Sequence, residues 1–300
     1  MALKAKSPDK KEKRLKMFVY GPAGVGKTCG VIQFKNSVII DTEKGTDFYS
    51  DTINKANSVV LQTLNPDEIR EELHSLLTEK HQYRTLIIDP ITQVYNSTQA
   101  KWTRIFESYA KSEKEKAVQD FGMRYWGKVK SDFKGLQRLM LALDMNCIIT
   151  AHQKDIYGTG MQKLGVGPDS MKGDDYLFDL VFRVERSGND LIAFTVKERA
   201  EIGQNKFPET FSWSYDNFVK FYGKEIIEKE ATPILMATKE DVVKLKGLLE
   251  VVNVPEGTVT KWLTKADCNS FIEMNKDQID KCIAYLQKKL DEINKNGGKK

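Results

Sequence analysis

The sequence lacks any apolar run near the roughly 18 residues that a bilayer span requires. Its Lys-rich opening, "MALKAKSPDKKEKRLK", is not followed by the apolar block of a secretion signal. These absences lead to the expectation of a cytoplasmic protein with no membrane partner. Cysteine is sparse and scattered: Cys29, Cys147, Cys268 and Cys282 form no CxxC pair and have no histidine at ligand spacing. Disulfide scaffolds and zinc modules are therefore disfavoured, and buried reduced thiols are expected. An excess of one charge is lacking too, since 47 basic against 42 acidic side chains leave a net +5. That is too little by itself to argue for a nucleic-acid partner. What is present is a globular composition, 40% hydrophobic and 30% charged over 300 residues, enough for a full core and a second small module. The basic opening and the closing "KKLDEINKNGGKK" are expected to be mobile and fraying ends.

Short β-type runs alternate with helical patterns over the first two thirds, the signature of a parallel sheet covered by helices. The strands expected are "KMFVYG", "SVIIDT", "SVVLQT", "TLIIDP" and "NCIITAH". Ile69, Leu73, Leu76 and Leu77 mark an amphipathic helix after the turn "NPDE". Trp126, Val129, Phe133, Leu136, Met140 and Leu143 mark a longer one, spaced for core packing. After His152 comes "QKDIYGTGMQKLGVGPDSMKGDD", with no apolar period, which reads as a long loop, either functional or disordered. "LVFRVER" and "LIAFTVKER", joined by "SGND", read as an antiparallel hairpin extending the sheet. The C-terminal stretch looks helical, with Thr238 as N-cap, Val242, Leu245, Leu248 and Leu249 on one face, and a last helix burying Ile279, Cys282, Ile283, Leu286, Leu290 and Ile293.

The strongest motif is "GPAGVGKT" between a β-run and a helical stretch, which matches G-x-x-x-x-G-K-[ST]. Here Gly21, Pro22, Ala23, Gly24, Val25 and Gly26 form a loop whose glycines let backbone N–H groups wrap the phosphates, with Cys29 in the helix that follows. Lys27 would reach the β- and γ-phosphates and Thr28 would ligate Mg²⁺. Asp89 closes a downstream β-run, where a magnesium-side carboxylate belongs. The next residue is Pro90, where many ATPases of this type carry their hydrolytic glutamate. A GTPase would show D-x-x-G at this strand end and N-K-x-D elsewhere, and neither is found. Glu43, in "SVIIDTEKGT", ends another parallel strand on the same sheet edge and could activate water; the alternative is an ordinary loop acid.

Taken together, "GPAGVGKT", "VIIDTE", "LIIDP" and "IITAH" resemble the RecA-type recombinase core, and more closely the compact phage-encoded RecA-like ATP-binding proteins of recombination and single-strand annealing. "YWGKVKSDFKGLQRLMLALDMNCIITAHQK" is similar to what that group carries between its magnesium strand and its sensor strand. The resemblance covers roughly residues 16–222. It implies Glu43 as the water-activating glutamate and His152 as the γ-phosphate sensor in place of a glutamine, with Gln153 as fallback. It also implies that the 153–174 stretch meets single-stranded DNA through Lys154, Tyr157, Lys163 and Lys172. A base stacked on the ring would be worth about 1–3 kcal/mol. The insert "NSTQAKWTRIFESYAKSEKEK" takes the place of the second DNA-facing loop; Trp102, Phe106 and Tyr109 read equally as packing residues. Lys197 and Arg199, two apart and so on one side of a strand, resemble a finger that reaches a neighbouring subunit's ATP.

The expected architecture is therefore α/β: a P-loop NTPase with a RecA-like parallel core at 16–223 and its antiparallel hairpin extension. A basic tail at 1–15 precedes it, and a linker at 224–237 leads to an all-helical module at 238–296. ATP and Mg²⁺ are the expected cofactors. Single-stranded DNA, further copies of the chain in a ring or filament, and a phage single-strand-binding protein are the partners the resemblance implies. A helicase-like motor or helicase-loading ATPase remains the alternative. A small-molecule kinase would want an Arg-rich lid, which the sequence does not show. DNA or a partner protein is the expected ligand of the helical module, with Trp262, Lys261 and Lys265 as its only hint; Trp262 reads rather as a core residue.

Overall fold

The computed structural model describes residues 14–112, 121–199, 203–229, 235–266, 268 and 270–297. The basic opening through residue 13, the last residues of the insert (113–116), part of the linker (230–234) and residues 298–300 lie outside the described residues. Two compact units are present: one comprises residues 1–70 and 82–231, the other residues 71–81 and 232–300.

The first unit begins with β1 (Lys16–Gly21), α1 (Lys27–Val31), β2 (Ser37–Asp41), α2 (Ser50–Lys55) and β3 (Val59–Gln62). Helix α3 (Pro66–Thr78) leaves the first unit after residue 70 and belongs from residue 71 to the second. The first unit resumes with β4 (Thr85–Asp89), α4 (Ile91–Ser112), α5 (Phe121–Ala142) and β5 (Asn146–Tyr157). After these come β6 (Lys163–Pro168), β7 (Leu180–Ser187), β8 (Asp190–Glu198), β9 (Thr210–Ser212), α6 (Tyr215–Tyr222) and α7 (Lys224–Glu228). The sheet order is β3-β2-β4-β5-β1-β7-β8-β9, with β6 paired to β5. From β3 to β7 every pair is parallel; β7-β8, β8-β9 and β5-β6 are antiparallel.

The all-apolar runs of β1, β2 and β4 are buried almost throughout, as a parallel sheet covered on both faces requires. Strand β3, at the edge, is largely exposed. Register decides where function sits: Gly21 lies opposite His152, and Asp41 opposite Asp89. The ends of β1, β2 and β4 and the middle of β5 thus meet at one edge, the place where parallel sheets bind ligands. Beyond β7 an aromatic cluster of Phe34, Phe182, Phe207, Phe211, Trp213 and Phe218 fills the layer between strands and α6. Each such ring contributes on the order of 2–3 kcal/mol by leaving water.

Three local expectations are corrected. The stretch after His152 is not a loop: β5 runs on to Tyr157 and pairs with β6 from Gln153↔Pro168 to Tyr157↔Lys163. Its backbone partners supply the order that an apolar period would otherwise signal. Trp126 is 43% exposed and leaves the core to its helical neighbours. Helix α7 occupies residues read as the start of the linker, with Ile227 buried.

The second unit holds α8 (Lys239–Val251), α9 (Thr258–Ala266) and α10 (Lys276–Gly297) around Leu245, Val252, Met274, Ile279, Ile283 and Leu286. Thr238 caps α8 in a reciprocal capping box with Asp241. Helix α10 continues to Gly297, and the last three residues of the end expected to fray lie outside the described residues; Ile293, expected to be buried, is exposed. Trp262 packs against this core and meets Tyr285 edge-on. Among the described residues no helix is long and apolar enough to cross a membrane.

Candidate nucleotide site

The loop from Gly21 to Thr28 turns at Gly24 and Gly26, whose φ values of 73° and 76° lie in the left-handed region that glycine adopts without strain. Gly26 is also hemmed in, since a Cβ there would lie 2.6 Å from Leu191. Lys27, only 9% exposed, donates from Nζ to the carbonyls of Gly21 (2.9 Å) and Pro22 (2.7 Å). Burial lowers its pKa, while the carboxylates of Asp89 and Glu43 pull it back up. The cation is held ready for a polyanion.

Thr28 Oγ1 donates to Asp89 Oδ2 at 2.6 Å, and the Thr150 hydroxyl donates to Asp89 Oδ1. Burial pushes the Asp89 carboxyl up against the pull of those two hydroxyls and of Lys27. A buried carboxylate with only hydroxyls against it, beside a threonine and an open cleft, fits Mg²⁺ completed by phosphate oxygens. No cluster of three or more His, Cys, Asp or Glu among the described residues offers an alternative metal site.

The glutamate is placed by its two predecessors. Asp41 accepts from the backbone N–H groups of Glu43 (3.0 Å), Gly45 (3.2 Å) and Thr46 (2.9 Å), which closes a tight turn. Thr42 binds the end of β4, with N–H to Asp89 O at 2.9 Å and Oγ1 to Pro90 O at 2.9 Å. Glu43 therefore stands over the cleft with its carboxylate against His152 Nε2 (3.0 Å) and accepting from Gln93 Nε2 (2.7 Å). His152 is fixed through its backbone N–H, which donates to Thr92 Oγ1 at 3.0 Å.

These groups share one cleft of about 490 Å³ lined by Gly24, Lys27, Thr28, Cys29, Glu43, Asp89, Pro90 and His152. Further residues in its lining are not foreseen from sequence. Phe48, 89% exposed, and Tyr49 form one wall; Arg186 of β7 and its register partner Leu191 of β8 form another. Arg186 Nη2 donates to Gly24 O at 3.2 Å. The adjacent aromatics in "TDFYS" are the one signal that could have marked Phe48. Arg186 is placed only by the hairpin register.

Other candidates lie elsewhere. Gln153 pairs with Pro168 and does not line the cleft. Lys197 donates to the carbonyls of Asp175 and Tyr176, and Arg199 pairs with Asp179 at 2.8 Å, so neither reaches its own chain's cleft. Lys154 is paired with Asp169 and Lys163 with Asp155, while Tyr157 is exposed on the hairpin. Lys172 follows that hairpin and is exposed.

A parallel α/β sheet with a phosphate-wrapping loop, a buried cation and a hydroxyl–carboxylate pair at its edge defines a P-loop nucleotide-binding protein of the ATPase type. The particular family follows from comparison: a family model described as an AAA domain matches residues 13–212, and the chain belongs to that family. No curated protein matches the chain. A crystal structure of the RadB recombinase is similar at 15% identity and TM-score 0.36, covering 61% of this chain and 81% of that one. So distant a likeness says nothing of activity or partners.

Proposed function

We propose that the chain is a Mg²⁺-dependent ATPase of the RecA-like type that binds single-stranded DNA, acts as an oligomer, and serves recombination or annealing. The observation that carries this reading is strand β5, which is continuous from Thr150 on Asp89, through His152 on Glu43, into the hairpin at Gln153–Pro168. A change at the γ-phosphate end of the strand is thereby transmitted to an exposed surface element. The hairpin carries Ile156, Tyr157, Met161 and Leu164 exposed, a surface suited to unstacked bases.

In this reading Lys27 holds the β- and γ-phosphates and Phe48 offers its ring to the base. Bound Mg²⁺ would be held by Thr28 and Asp89 and would offset phosphate charge. Glu43 accepts the proton of the attacking water once Gln93 and His152 release it. Arg186 stands on the phosphate side in cis, and Lys197 and Arg199 serve a neighbouring copy. A phage single-strand-binding protein is a further partner of this reading.

Glu43→Gln is expected to retain nucleotide binding while turnover falls by about 10²–10⁴-fold, the range for loss of a general base. ATPase rate is measured with and without a single-stranded oligonucleotide, then strand annealing on the same preparation. Normal turnover in the variant removes Glu43 from the role. Unwinding of a tailed duplex, with no acceleration of annealing, would replace recombination by a motor function.

A further inference from the structure

Helix α5 contains five basic residues and one carboxylate, Asp132. That carboxylate is engaged on one flank by Arg70, Lys101 and the indole of Trp102. On the other flank Lys130, Lys134 and Arg138 recur every four residues, so they stand in a row about 6 Å apart along the axis. All three are exposed, and none has a hydrogen-bond or ion-pair partner among the described residues. Lys172 faces Lys134 and Arg138 across a groove of about 330 Å³ floored by Gln137 and the buried Asp174, and it too is unpaired among the described residues. Beyond the groove Tyr176 is 76% exposed, with Lys197 Nζ 5.8 Å from its ring centre.

The β5-β6 hairpin contrasts with this face. Its Lys154 and Lys163 are matched by Asp169 (3.1 Å) and Asp155 (2.8 Å). A phosphate arriving there must displace a carboxylate. At Lys130, Lys134 and Arg138 it meets no paired carboxylate among the described residues and exchanges with the strand's own counterions, whose release favours binding.

We propose that α5 and the 172–176 turn form a track for one strand of nucleic acid, with phosphates against Lys130, Lys134, Arg138 and Lys172 and a base on Tyr176. The inference rests on the reading above that the partner is a nucleic-acid strand, and it moves the backbone-binding cations from the hairpin to α5. A regular row of unpaired cations matches the regular spacing of phosphates. The exposed ring beside it offers a stacking face that only unpaired bases can use, which favours a single strand over a duplex and over an acidic protein.

The test is fluorescence anisotropy of a labelled oligothymidylate with the full chain over a salt series. K130E/K134E/R138E is expected to weaken binding roughly tenfold or more and to make the slope of log K against log salt shallower by about 2, at about 0.7 for each phosphate no longer neutralised. Y176A should weaken binding without changing the slope, and K130R/K134R should bind as the unaltered protein does. If circular dichroism shows the triple variant unfolded, Arg138→Glu alone repeats the measurement, with the slope change of a single phosphate. Unchanged affinity and slope in the charge-reversed protein, with weakened binding in K154E/K163E, would overturn the track and leave the nucleic-acid reading standing. Failure of the unaltered protein to bind any oligonucleotide would overturn both. Competition by polyglutamate as effective as by an oligonucleotide of equal charge would make the face a protein-binding one and overturn the track.

Discussion

Asp174 is 1% exposed, and burial pushes its carboxyl up to about 6 against the pull of the Gln137 amide and the Ser170 hydroxyl. The folded state therefore holds this proton more tightly than the unfolded chain, whose value is the ordinary 3.8. Stability is highest with the group protonated and falls as pH rises from 3.8 through about 6. The full cost is roughly 3 kcal/mol. Asp174→Asn should match the unaltered protein in denaturant unfolding near about pH 4 and exceed it by up to about 3 kcal/mol near about pH 8; parallel stability profiles would show that burial does not set this proton's affinity. At this scale the sequence was most legible where chemistry dictates residue type. Lys27, Thr28, Asp89 and Glu43 converge on the cleft in which sequence reasoning placed them. Gln93, Phe48 and Arg186 were not foreseen, because an amide on a carboxylate, an exposed ring and a cation from a distant strand carry no local pattern.

The short strand β9 and the residue after it show how an element supports the phosphate loop from behind. Trp213 Nε1 donates to Gly26 O at 3.0 Å, and a Cβ on Gly30 would fall 2.5 Å from the indole. Trp213→Phe keeps most of the buried ring but leaves the Gly26 carbonyl without that donor. Loss of one net hydrogen bond, about 1 kcal/mol, should weaken nucleotide binding about fivefold with little change in turnover at saturation. Titration with a fluorescent nucleotide analogue checks it, and unaltered affinity would exclude the bond from shaping the loop. The parallel strands were readable because burial on both faces demands continuous apolar runs. The β5-β6 hairpin was not, since its residues pair through backbone while their side chains face solvent, and no alternation is imposed on them.

Across the whole molecule, Lys197 and Arg199 sit apart from the cleft of their own chain, so any part they take in hydrolysis belongs to an assembly. If they act on a neighbour's ATP, mixing Lys27→Ala with Arg199→Ala protein should restore turnover that neither has alone, because some interfaces then join an intact cleft to an intact arginine. Activity of the mixture no greater than that of its components would confine these residues to their bonds with Asp179 and the 175–176 carbonyls within the chain.

By itself the sequence determined the chemistry at each strand end: a phosphate loop after β1, carboxylates after β2 and β4, a histidine within β5. Local rules of glycine conformation, strand burial and charge act within a few residues, and so they can be read along the chain. Tertiary structure alone decided which of these ends face one another, that Gln93 and His152 hold Glu43, that Leu191 of the β7-β8 hairpin covers Gly26, and that Lys130, Lys134 and Arg138 of α5 have no partner among the described residues while Lys154 and Lys163 of the β5-β6 hairpin are matched. Each of these depends on register and on which carboxylate arrives beside which cation. Pairings between residues tens of positions apart are set only when the sheet assembles.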